Sequence, residues 1–185
     1  MKFSPVETAA GLWLPGARAV PSPNCDQRPA KTSVDLLVIH NISLPAGSFG
    51  GPWIEALFLN RLPRHRHPDF ASIADLRVSA HLLIRRDGGL VQFVPLEMRA
   101  WHAGVSRFEG RERCNDFSIG IELEGTDDRP YTDAQYQRLI ETTRRIQALF
   151  PAITPARITG HCHIAPERKT DPGPAFDWDR YLGGL

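Results

Sequence analysis

The chain has 185 residues, with 22 Lys and Arg against 21 Asp and Glu and a formal net charge of +1. That length suits one domain with a sizeable core, and the charge balance excludes a strongly basic nucleic-acid binder and an acidic tail protein. A hydrophobic content of 42% with 23% charged residues excludes disorder, and three cysteines (Cys25, Cys114, Cys162) are too few for a disulfide scaffold. Their odd number points to a reducing compartment. Met1 to Pro5 leads into no apolar run of signal-peptide length, and nowhere are there 18 consecutive apolar residues, so the expectation is a cytoplasmic protein without a membrane span. No GxGxxG, GxxxxGK[ST] or GxSxG is present.

Residues 15–31, rich in Pro and polar side chains, read as an irregular lead-in. Leu36-Leu37-Val38-Ile39 reads as a buried strand ending at His40. Residues 43–51 form a loop whose Gly47, Gly50 and Gly51 make it a candidate for motion. Pro52 suits a first helical position, with Ile54, Leu57, Phe58 and Leu62 following at helical spacing; 63–70 then breaks the helix as a polar loop. Ala80 to Ile84 and Leu90 to Val94 flank an Asp87-Gly88-Gly89 turn, a hairpin signal. Phe117 to Leu123 alternates, with Phe117, Ile119, Ile121 and Leu123 on one face and Ser118, Gly120, Glu122 and Glu124 on the other. Thr132 with Gln135 is a capping-box signature, and Tyr136, Leu139, Ile140, Thr143, Ile146, Leu149 and Phe150 form a helical stripe ending at Pro151. Residues 151–185 read as mostly irregular. One hairpin plus helix-separated strands implies an α/β domain with a mixed central sheet flanked by helices.

The densest chemistry lies in Gly160-His161-Cys162-His163 and Lys169-Thr170-Asp171-Pro172-Gly173. A zinc site needs N, S or O donors that converge tetrahedrally. His161 and Asp171 can fold onto one ion across an irregular loop, and His40, ending a buried strand, is the natural distant third ligand. Cys162 and His163 are competing donors; Cys162 points away from His161's face on an extended segment, whereas His163 shares it. Glu122 is the candidate general base, with a plain solvent-facing carboxylate as the alternative. Lys169 is placed to stabilise an oxyanion, with an exposed lysine as its alternative. His65 and His67 read as solvated surface, while His81 and His102 fit either a packed or a substrate-lining role. Ligand histidines must be neutral, so metal affinity is expected to fall below about pH 6.5.

Four stretches carry a family resemblance: HNISLPAGSFGG (40–51), RVSAHLLIRRDG (77–88), RAWHAGVSRFEGRERCNDFSIGIELEGTD (99–127) and GHCHIAPERKTDPGPAFDW (160–178). They closely resemble the AmpD-type 1,6-anhydro-N-acetylmuramyl-L-alanine amidases, within a zinc amidase superfamily that includes phage amidases and peptidoglycan recognition proteins. The resemblance runs from about residue 11 to about residue 181. It implies a single amidase domain over residues 1–185, with zinc in a surface groove. His40, His161 and Asp171 match the zinc ligands, Glu122 the catalytic acid/base, and Lys169 the transition-state stabiliser. Arg77 and Arg113 match positions that bind stem-peptide carboxylates; Asn41 and Trp101 match residues lining the cleft. The implied partner is a small-molecule 1,6-anhydromuropeptide, cleaved at the lactyl–alanine amide during cytoplasmic peptidoglycan recycling. A non-catalytic muropeptide-binding module is the alternative; some superfamily members bind after losing a ligand, whereas all ligand and helper positions are present here. One departure stands out: the family usually has Asp where this chain has His163.

Overall fold

The structure, a computed structural model, describes residues 11–185; the N-terminal stretch read for an export signal lies outside the described residues. In chain order its strands are β1 (Arg18–Ala19), β2 (Cys25–Asp26), β3 (Leu36–Ile42), β4 (Leu82–Ile84), β5 (Leu90–Gln92), β6 (Arg99–Ala100), β7 (Arg107–Phe108), β8 (Arg111–Glu112), β9 (Ser118–Glu124) and β10 (Ile158–Gly160). The α-helices are α1 (Trp53–Phe58), α2 (Phe70–Ile73), α3 (Asp133–Leu149), α4 (His161–Ile164) and α5 (Trp178–Gly183). Six strands form one mixed sheet in the order β1-β5-β4-β9-β3-β10. Only β4 and β5, the hairpin read from Asp87-Gly88-Gly89, pair antiparallel within it.

The seven-residue strands β3 and β9 lie parallel at the centre, and their period of two divides the core. Leu37 and Ile39 of β3 pack with Ile119, Ile121 and Leu123 of β9 against Tyr136, Leu139 and Ile146 of α3 and Tyr181 of α5. Leu36 and Val38 face the other way, onto Ala103, Cys114, Phe117 and Ile164. Helix α3 starts as its sequence implies: Thr132 Oγ1 accepts from the Gln135 N–H, and Gln135 Oε1 accepts from the Thr132 N–H. This reciprocal pairing satisfies two otherwise orphaned donors.

Four sequence expectations change. Phe117 does not share a face with Ile119, Ile121 and Leu123: it ends the 3-10 turn before β9 and packs with Leu36 and Val38 instead. Pro52 is the N-cap rather than the first helical residue, and α1 stops at Phe58, leaving Leu62 buried beyond the helix. The lead-in holds β1 and β2, whose two residues each are too short for periodicity to register. Residues 151–185 hold β10, α4 and α5. Strand β10 has three residues and forms through parallel pairing with β3, a tertiary contact invisible to local pattern. Among the described residues, no helix is long and apolar enough to cross a membrane.

Candidate metal centre and active site

His40 and Glu122 are Cα partners in the β3–β9 pair, so both side chains emerge at one height on the face opposite α3. Gly160 pairs with Ile39, which sets His161, the first residue of α4, beside His40 at the carboxyl end of β10. Open α/β sheets build their sites at such strand ends. Asp171 returns on the following loop, where its carbonyl accepts from the Cys162 N–H at 2.9 Å. Gly173 holds that loop against the 126–127 turn. Its φ is +80°, and a Cβ there would lie 2.2 Å from Asp127 Cα, so only glycine fits. Arg168 anchors the same loop by donating to the carbonyls of Ala103 and Val105, each at 2.7 Å.

Three donor atoms converge. His40 Nδ1 lies 2.9 Å from His161 Nδ1 and 3.1 Å from Asp171 Oδ2, and His161 Nδ1 lies 3.0 Å from the same oxygen. Zinc bonds of about 2.0–2.1 Å at tetrahedral angles set donors about 3.3 Å apart, so two imidazoles and one carboxylate at these separations fit a zinc ion. The far nitrogens are also engaged: His161 Nε2 donates to the Ala103 carbonyl at 3.2 Å, and His40 Nε2 meets His102 Nδ1 at 2.9 Å. Such outer contacts orient metal-binding imidazoles.

Burial lowers the pKa of His40 to about 4, assisted by His161 and Lys169 and opposed by Asp171, so the ring is neutral at physiological pH. For Asp171, burial pushes the pKa up, but its contacts with His161 and His40 outweigh that and hold it well below the usual range. Glu122 goes the other way. Burial and the Asp171 charge raise its pKa well above the carboxylate range, Lys169 opposing, and its Oε2 is buried without a partner. A buried carboxyl with an unused oxygen beside a metal-type donor set is suited to taking and returning a proton.

Beside Asp171 lies a cavity of about 520 Å³ lined by Asn41, Ser43, Thr126, Asp127, Asp128, Arg168, Lys169 and Thr170. A larger one of about 630 Å³ lies over Arg18, Glu55, Arg85 and Glu124, where the charges already pair with one another.

The profile of the N-acetylmuramoyl-L-alanine amidase family matches residues 30–174. The 1,6-anhydro-N-acetylmuramyl-L-alanine amidase AmpD of Salmonella typhimurium is 66% identical over 169 residues, covering 91% of this chain and 90% of its own. The chain belongs to the N-acetylmuramoyl-L-alanine amidase family. A crystal structure of a selenomethionine AmpD derivative superposes with a TM-score of 0.91 at 63% identity, over 94% of this chain and 96% of that one. The Escherichia coli amidase AmiD, in complex with the substrate anhydro-N-acetylmuramic acid-L-Ala-D-gamma-Glu-L-Lys, has a TM-score of 0.62 at 29% identity, over 85% of this chain and 60% of AmiD.

In this amidase chain His40, His161 and Asp171 come together, and Lys169 and Asn41 share the cavity beside Asp171. The Asn41 amide is already committed, donating to Asp127 Oδ1 at 2.7 Å and to the Pro172 carbonyl at 3.1 Å. The other three lie outside the convergent group. Trp101 donates its indole N–H to Asp26 Oδ1 at 3.3 Å, Arg113 is exposed with an ion pair to Asp116, and Arg77 is exposed and donates to the Asp75 carbonyl. Of the competing donors, His163 turns away from the metal group. Its Nδ1 accepts from the Gly160 N–H at 3.3 Å and its ring lies 6.0 Å from Trp178. Residue patterns alone gave no signal for Arg168, because its partners are backbone carbonyls more than 60 positions away.

Proposed function

We propose that the chain is a zinc-dependent amidase that hydrolyses the bond between 1,6-anhydro-N-acetylmuramic acid and L-alanine in muropeptides, as one amidase domain over residues 1–185. One observation carries the reading: the His40, His161 and Asp171 donor atoms converge within hydrogen-bond distances beside a buried, unpartnered Glu122. The intact set argues against a non-catalytic binding module. His40, His161 and Asp171 would hold the ion, and bound zinc supplies Lewis acidity toward the scissile carbonyl and the attacking water.

Glu122 takes the proton of the attacking water. Its raised pKa then makes it a competent acid, and it delivers that proton to the alanine nitrogen as the C–N bond breaks. Lys169 lines the cavity beside Asp171, and its ammonium would stabilise the oxyanion that develops on the carbonyl; losing one such donor costs about 10²–10³ in kcat. By the family resemblance Trp101 and Asn41 would line the substrate cleft, Asn41 from the cavity beside Asp171. Arg77 and Arg113 are exposed cations that would meet the stem-peptide carboxylates, Arg113 by exchanging its ion pair with Asp116. A cytoplasmic recycling role agrees with three unpaired thiols, Cys25, Cys114 and Cys162. The test is mass-spectrometric detection of free stem peptide and anhydro-N-acetylmuramic acid from purified protein and anhydromuropeptide. Saturable binding without either product would support the binding module instead.

A further inference from the structure

A neutral imidazole carries one proton, and which nitrogen carries it decides whether the other can hold a metal. For His161 the question is settled by the Ala103 carbonyl, which can only accept, so the proton sits on Nε2. His40 has no carbonyl partner. Its Nε2 faces His102 Nδ1 at 2.9 Å, and two nitrogens can share a proton either way round.

The ambiguity is removed two steps further out. The Cys114 carbonyl can only accept, and Ser118 Oγ lies 2.6 Å from it, so the hydroxyl proton is spent there. Ser118 Oγ therefore presents a lone pair to His102 Nε2 at 3.2 Å, which must donate. His102 Nδ1 is left with its lone pair and accepts from His40 Nε2–H. The lone pair of His40 is thereby placed on Nδ1, the atom 2.9 Å from His161 Nδ1 and 3.1 Å from Asp171 Oδ2.

The fold holds His102 rigidly in this role. Asn115 Oδ1 accepts from the backbone N–H groups of His102 and Ala103 at 3.1 and 2.7 Å. The imidazole lies over Gly120 in the middle of β9, where a Cβ would come 2.5 Å from His102 Nδ1 and 2.6 Å from its Cγ. Glycine inside a strand costs stability, and here it marks the close approach of the ring. His81 is not part of the chain: its Nδ1 accepts from the Gly120 N–H and its Nε2 donates to the Met98 carbonyl.

We infer that His102 is a positioning residue for the metal centre: through the relay Cys114 carbonyl–Ser118–His102 it fixes the His40 proton on Nε2 and directs the Nδ1 lone pair at the ion. The inference rests on the zinc reading above and deepens it. Zinc affinity, measured by competition with a chromophoric chelator, is the primary readout, with thermal unfolding of the metal-free protein as the control for folding. His102→Ala is expected to bind zinc about 10–100-fold more weakly than wild type. His102→Asn sets an amide oxygen where Nδ1 stood and should recover most of that loss. Ser118→Ala, which frees the His102 proton to choose either nitrogen, should weaken binding several-fold. Nitrogen-15 spectra of the zinc-loaded wild type should show His40 protonated at Nε2. Wild-type affinity in both His102→Ala and Ser118→Ala would overturn the inference, as would His102→Asn no better than His102→Ala. If His102→Ala does not fold, Ser118→Ala and the nitrogen-15 assignment decide. Failure of the wild type itself to bind zinc would instead remove the metal reading.

Discussion

Glu122 shows how much one position can conflict with the fold around it. The residue is 9% exposed in a strand whose seven residues are all buried, and one carboxyl oxygen is fully buried with no partner. A folded pKa raised above the unfolded value means that Glu122 costs no stability below the ordinary carboxylate range and costs it as pH rises above that range. At pH 7 the folded protein therefore bears this cost, and Glu122→Gln removes it. The expected result is a variant more stable by about 1 kcal/mol, a rise of roughly 2–4 °C in Tm, yet without amidase activity. Calorimetry of metal-free wild type and variant checks the first part, and the product assay the second; a lower Tm would contradict the electrostatic account. The alternation of Phe117 to Leu123 placed Glu122 opposite the apolar face, but left open whether that face met solvent or a cleft. Only the paired register with His40 answers that, because it joins segments about 80 residues apart. The role of His163 was equally hidden, since a backbone N–H as its partner leaves no mark on side-chain pattern.

At the scale of elements, the long pieces were legible and the short ones were not. Helix α3 carries a cap, a stripe and a stop in its own sequence, and the β4–β5 hairpin carries its turn. The lead-in carries nothing so local, yet Arg28 in it ties segment 96–97 to segment 115–118. Its guanidinium donates to the carbonyls of Leu96, Glu97, Asn115, Asp116 and Ser118. Two of these residues, Asn115 and Ser118, also hold His102. Burial lowers the Arg28 pKa only to about 10, so it stays charged. Arg28→Met would leave these carbonyls short of a donor, at a cost of about 2–4 kcal/mol in unfolding free energy. Urea denaturation measures it, and a change under about 0.5 kcal/mol would mean that the carbonyls find other donors. The loop after His40, glycine-rich and a candidate for motion, is tied at several points. Gly50 N–H donates to Glu124 at 2.7 Å, Arg85 donates to the Gly51 carbonyl at 2.9 Å, and the Arg86 and Arg129 guanidinium groups lie over the Phe49 ring.

Over the whole molecule, the near-neutral charge conceals a buried cluster of uncharged histidines. Burial lowers His40 to about 4 and His81 to about 3, and lowers His102 as well. Unfolded imidazoles bind protons from about pH 6.5 downward, so between that pH and about 4 the unfolded chain holds more protons than the folded one. Stability rises with pH through this window and is lost as pH falls, by about 1.4 kcal/mol per pH unit for each such histidine. Glu122 pulls the opposite way, but three histidines outweigh one carboxyl, so thermal unfolding of the metal-free protein should show Tm falling as pH drops from about 6.5 to 4. A flat profile would mean that the cluster is open to water. The same burial keeps His40 ready for metal to a lower pH than an ordinary imidazole, shifting its part of the acid loss of zinc below 6.5.

The mechanism depends most on His40, His161 and Asp171 holding one catalytic zinc beside Glu122. The most direct measurement is metal content and stem-peptide release on the same sample before chelation, after it, and after zinc is restored. Expected are one zinc per chain, loss of release when it is stripped, recovery on reloading, and no stoichiometric zinc in Asp171→Ala. Undiminished release from metal-free protein would contradict it.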